Sequence, residues 1–105
     1  MAAGSELGEI ELQFRAEVIE WRGPAPFISA RIPPEESDTI AGFSRALTYG
    51  WGAIPVEARI GATPFRTALY PKDGRYLLPL RASVQASEGI ALGGTVQVTM
   101  RLGWS

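Results

Sequence analysis

Two stretches of this chain alternate apolar and polar side chains with a period of two, and that period restricts both to strands. Near the start, Ile10, Leu12, Phe14, Ala16 and Val18 alternate with Glu9, Glu11, Gln13, Arg15 and Glu17. Near the end, Val96, Val98, Met100 and Leu102 alternate with Thr95, Gln97, Thr99 and Arg101. Successive side chains of a strand point to opposite faces, so each stretch offers one apolar face to a core and one polar face to water. Twelve glycines and eight prolines in 105 residues exceed the usual share of roughly 12% and suit short strands joined by tight turns.

After a break at Trp21-Arg22-Gly23-Pro24, Phe27 to Ile32 reads as a second strand, with Ile28, Ala30 and Ile32 on one face and Pro33 as its stop. Pro33-Pro34-Glu35-Glu36 suits a helix start, because proline lacks an N–H that would be orphaned there and acids favour the positive end of the helix dipole. Ile40, Phe43 and Leu47 share the buried face of that helix. Val56 to Tyr70 reads as a hairpin turning at Gly61-Ala62, where glycine supplies the positive φ of a type II′ turn. Its register pairs Ile60 with Thr63, Ala58 with Phe65 and Glu57 with Arg66, and points Val56, Ala58, Ile60, Phe65 and Leu69 inward. The missing N–H of Pro64 then falls in a non-hydrogen-bonded pair. Pro71-Lys72-Asp73-Gly74 is expected to make the next turn, into a strand from Arg75 to Leu80. A short helix from Arg81 to Glu88 ends at Gly89 in the left-handed conformation, with Ile90 folding back beyond the cap. Gly93-Gly94 turns the chain into the last strand.

The length suits one domain, expected over residues 9–103 after a flexible tail of residues 1–8. With 46% hydrophobic and 20% charged residues the chain has the means to pack a core. A net charge of −1 provides no field to gather phosphate backbones or acidic membranes. The absence of cysteine removes a disulfide framework, a thiolate metal site and a thiol nucleophile. Met1 to Gly8 lacks the basic start and apolar run of a signal peptide, and no apolar run approaches the ~20 residues of a membrane span. A cytoplasmic protein without a membrane partner is expected.

The ordered motifs Gly50-Trp51-Gly52-Ala53-Ile54-Pro55-Val56, Arg59-Ile60-Gly61, Phe65, Leu69-Tyr70-Pro71-Lys72-Asp73-Gly74, Leu78-Pro79-Leu80 and Glu88-Gly89-Ile90 resemble the bacterial family called domain of unknown function 1905, over about Ile10 to Leu102. The resemblance implies a mostly β fold, a small double-split β-barrel of about six or seven strands with two short helices. Swapped-hairpin regulators and antitoxins of the AbrB and MazE type use the same fold, which is analogy of fold and not of function. The family has no assigned activity. This chain departs from its common pattern in having Gly93-Gly94 where Gly-Asp is usual, and Ser83, Gln85 and Ser87 on a short helix that is usually more basic.

Without histidine or cysteine the chain lacks the usual near-neutral base and the soft metal ligands, so no catalytic residue, metal ligand or cofactor is assigned. Paired carboxylates are the remaining route to catalysis, through Asp38 or Asp73, although the cluster Glu35, Glu36 and Asp38 reads first as a solvated helix N-terminus. The glycine pairs fit no phosphate-binding fingerprint, because a strand rather than a helix follows them. The loop Tyr49-Gly50-Trp51-Gly52 carries two large aromatics of the kind that anchor partners; Tyr49, Trp51 and Tyr70 are the candidate ligand- or partner-binding residues. The plain alternative is that Trp51 plugs an open end of the barrel. Arg66, Lys72, Arg75 and Arg81 form a candidate basic patch. The chain is therefore expected to be a non-catalytic module for a small molecule or a protein partner. An AbrB-like nucleic-acid binder is the alternative, and a carboxylate-based enzyme stands behind both.

Overall fold

The computed structural model describes residues 11–21, 27–47 and 54–102. In chain order its elements are β1 Glu11–Trp21, β2 Phe27–Arg31, α1 Pro34–Leu47, β3 Ile54–Ile60, β4 Thr63–Lys72, β5 Arg75–Pro79, α2 Ala82–Glu88 and β6 Thr95–Leu102. The six strands close into a barrel in the order β1-β2-β5-β4-β3-β6, with every neighbouring pair antiparallel. Closure removes the free edges that an open sheet would leave.

The two alternating stretches that stand furthest apart in sequence seal this barrel against each other. β1 pairs with β6, setting Phe14 opposite Val98 and Ala16 opposite Val96. Their apolar faces join Ile54, Val56, Ala58 and Ile60 of β3, Leu69 of β4 and Leu78 of β5 in one interior cluster. Ile40 of α1 and Val84 of α2 belong to the same cluster, and Phe43, Phe65 and Ile90 pack against it half-buried. The side chain of Leu47 lies outside the described residues, as do the tail of residues 1–8 and the loop that carries Tyr49 and Trp51. Among the described residues no helix is long and apolar enough to cross a membrane.

The β3–β4 hairpin has the register expected from its sequence, with Ile60 opposite Thr63, Ala58 opposite Phe65 and Glu57 opposite Arg66. Gly61 sits at φ +59° while Ala62 keeps a negative φ, as a type II′ turn requires. The next turn is tighter than expected. β4 continues through Pro71 and Lys72, so Asp73-Gly74 alone joins it to β5, with Lys72 paired to Arg75. Both turn residues have positive φ, +53° and +79°, which gives the type I′ geometry whose twist matches paired strands. Pro71 is tolerated in the strand because it opposes Tyr76 in a non-hydrogen-bonded pair and lies past the last β3 partner, Leu69.

β5 ends at Pro79 and α2 begins at Ala82. Gly89 closes α2 at φ 61° and ψ 38°, and the Ile90 N–H donates back to the Gln85 carbonyl at 3.0 Å. Where β2 gives way to α1, the buried Ser37 hydroxyl continues the ladder: it donates to the Ile32 carbonyl and accepts from the Tyr76 N–H, each at 3.2 Å. A buried N–H without a partner costs about 1–3 kcal/mol, so this hydroxyl is accounted for by the fold.

Candidate ligand-binding face

Strand alternation places a second set of side chains on the outside of the barrel. Across β1, β2, β5 and β4 the pairings Glu17 with Arg31, Arg31 with Leu77 and Leu77 with Tyr70 form one continuous row. Adjoining rows add Ile19 beside Ser29 on one side and Lys72 beside Arg75 on the other. Tyr76 and Leu78 take the inward positions of β5, which turns Leu77 outward. Leu77 is nevertheless 1% exposed and stands apart from the interior cluster. It lines an outer recess of about 520 Å³ together with Ile19, Glu20, Arg31, Lys72, Asp73 and Arg75.

The polar groups here are unevenly matched. Arg31 gives Nη2 to Glu17 Oε1 at 2.7 Å, while its buried Nε has no hydrogen-bond partner. Arg75 donates from Nε to the Ile32 carbonyl at 3.0 Å, which fixes the plane of its guanidinium. Lys72 Nζ lies 3.9 Å from Asp73 Oδ2. Ser29, fully buried between Ile19 and Pro79 in the register, carries a hydroxyl without a partner. Buried polar groups are nearly always paired, so these two orphans single out this face among the described residues.

Tyr70, Lys72 and Arg75, three of the residues expected from sequence, meet on this face. Tyr70 is exposed beside the recess. Arg66 and Arg81 belong to the opposite end of β4, where Arg81 Nη2 donates to the Arg66 carbonyl at 2.7 Å. The Arg66 guanidinium is held by Glu57, at 2.9 Å from Nε and 2.8 Å from Nη2. Six residues of strand at about 3.3 Å each put ~20 Å between Arg66 and Lys72. The four cations thus make two pairs and not one patch. Tyr49 and Trp51 lie outside the described residues.

A shallower groove of about 410 Å³ crosses the outer face of β4, β3 and β6. There Glu57 draws in both Arg66 and Arg101, the latter at 3.5 Å, so the central carboxylate and two of the cations satisfy one another.

Ile19, Arg31 and Leu77 were not singled out by sequence, although a signal was present. Tyr76-Leu77-Leu78 is an unbroken apolar run in a strand, and Ile19 follows directly on Val18. A period of two forces one residue of such a run outward, so each run places an apolar side chain on the outer side of the wall.

The sequence model of the Domain of unknown function (DUF1905) matches residues 14–100. This chain belongs to that family. The DUF1905 match includes the recess residues Ile19, Arg31, Lys72, Arg75 and Leu77, the neighbouring Tyr70, and at least part of all six strands. Among curated proteins, none matches the chain. Membership in DUF1905 carries no activity with it, so any function has to be argued from the recess itself.

Proposed function

We propose that this DUF1905 protein is a cytoplasmic, non-catalytic binding module whose ligand sits on the outer face of β1, β2, β5 and β4. Leu77 carries the proposal: a barrel strand that only needed to seal its interior would place a polar residue at this outward position, and this one places a leucine beneath cationic side chains. The recess volume falls within the roughly 300–1,000 Å³ typical of small-ligand sites, and its mix of an apolar floor with a few polar groups is the usual composition of such sites. Tyr70 adds an amphipathic ring at the margin, suited to stacking on a ligand.

Other functions draw less support. The cations that a nucleic-acid binder would use are divided between two ends of β4, and Arg66 is engaged by Glu57. Asp38 lies in α1 and Asp73 in the β4–β5 turn, on separate elements, and the positive φ of Asp73 accounts for its place there.

The test is amide chemical-shift mapping of the labelled protein against a library of fragment-sized molecules. Hits are expected to move Ile19, Arg31, Tyr70 and Leu77 together, and Tyr70→Ala is expected to weaken them about tenfold while the protein stays folded, as its amide spectrum will show. Hits that instead move Arg59, Thr99 and Arg101 would transfer the site to the groove around Glu57 and sink the proposal.

A further inference from the structure

We infer that the ligand of this face carries one anionic group, a carboxylate or a phosphate, on a compact apolar body; the inference rests on the binding-face proposal above. The acids of the face are largely matched inside the protein: Glu17 takes Nη2 of Arg31, and Asp73 faces Lys72. What remains uncommitted is cationic. The bond to Ile32 is the one polar contact that Arg75 makes among the described residues, which leaves both Nη nitrogens as donors. Arg31 adds a buried Nε–H with no acceptor.

A guanidinium held by its Nε and presenting its two Nη groups is shaped for two-point recognition of a planar or tetrahedral anion, and an orphaned charged N–H is relieved by an anionic acceptor more than by a neutral one. Ile19 supplies apolar surface beside these donors, over the buried Leu77. Glu20 and Asp73 on the rim set the upper limit on charge. An extended polyanion would run over these carboxylates, whereas a compact ligand with a single anionic group meets the guanidiniums without touching them.

Four probes of similar size separate the alternatives: phenyl phosphate, benzoate, benzyl alcohol and benzylamine, each titrated while the amides and the arginine Nε–H signals are followed. Phenyl phosphate or benzoate is expected to bind at least about tenfold more tightly than benzyl alcohol and to move the Nε–H signal of Arg31. The stronger of the two anions identifies which group the site prefers. Arg75→Gln and Arg31→Lys are each expected to weaken that anion about five- to tenfold, the second while keeping a positive charge opposite Glu17. Arg75→Lys, which retains the charge but not the fork, is expected to lose most of the same affinity, and thermal melting separates this loss from unfolding. Benzyl alcohol or benzylamine binding as tightly as the anions would overturn the inference while leaving the binding face standing. Anions that bind equally well to Arg31→Lys and Arg75→Gln would also overturn it. The binding face itself is tested separately, by where the fragment hits lie.

Discussion

Leu78→Ala is expected to lower the stability of the barrel by about 3 kcal/mol, within the usual range of roughly 2–5 kcal/mol for truncating a buried leucine. Leu78 is fully buried, and its strand stands between β2 and β4 in the closed ring, so its side chain faces the centre of the interior cluster. Strands on both sides hold β5 in register, which limits how far the wall can collapse into the space left behind. At about 4–8 °C per kcal/mol for a domain of this size, the melting temperature should fall by ~12–24 °C. Urea unfolding at one temperature measures the same change. A loss below about 1 kcal/mol would mean that the interior closes over the missing atoms, against the packed core described here.

The second large effect is expected at the β3–β4 turn. Gly61→Ala should cost about 2–3 kcal/mol, from the strain of an alanine held at positive φ together with a steric conflict. A Cβ built on Gly61 would overlap Glu88 Oε1 and lie 2.7 Å from its Cδ. Glu88 is in that place because its other oxygen accepts a 2.5 Å hydrogen bond from Thr63 Oγ1, which ties the end of α2 to the hairpin. The two contributions can be separated. Glu88→Ala alone should cost about 1 kcal/mol for the lost hydrogen bond, and the double variant should be less destabilised than the sum of the two by about 0.5–1 kcal/mol, because the conflict disappears and only the strain persists. Strict additivity in denaturant unfolding would show that the carboxylate does not lie over the turn.

Much of the barrel was legible because its walls obey one rule. The alternation in β1 and β6, the II′ turn at Gly61-Ala62 and the register of Glu57 against Arg66 all follow from a period of two joined to a glycine that supplies a positive φ. The cap at Gly89 was readable for the same local reason. The turn into β5 ends at Gly74 as the sequence suggests but starts two residues later, at Asp73, because a proline in a non-hydrogen-bonded pair past the end of β3 can remain in the strand and need not form a turn.

The recess was harder to read, since it depends on which strands become neighbours. Arg31, Leu77 and Tyr70 come from β2, β5 and β4, and their alignment follows from a closure order that no local pattern in the sequence encodes. Tyr70, Lys72 and Arg75 could be suspected singly as exposed aromatic and basic residues. Their grouping without Arg66 and Arg81 required the register, because the length of β4 separates the two sets.

Native mass spectrometry of the protein purified gently from cells tests most directly the claim that this face holds a ligand. The account predicts a small bound mass on the wild-type chain, released as an anion, and its loss from the Arg75→Gln variant. A wild-type spectrum showing the bare chain, or one whose retained partner is an oligonucleotide, would contradict it.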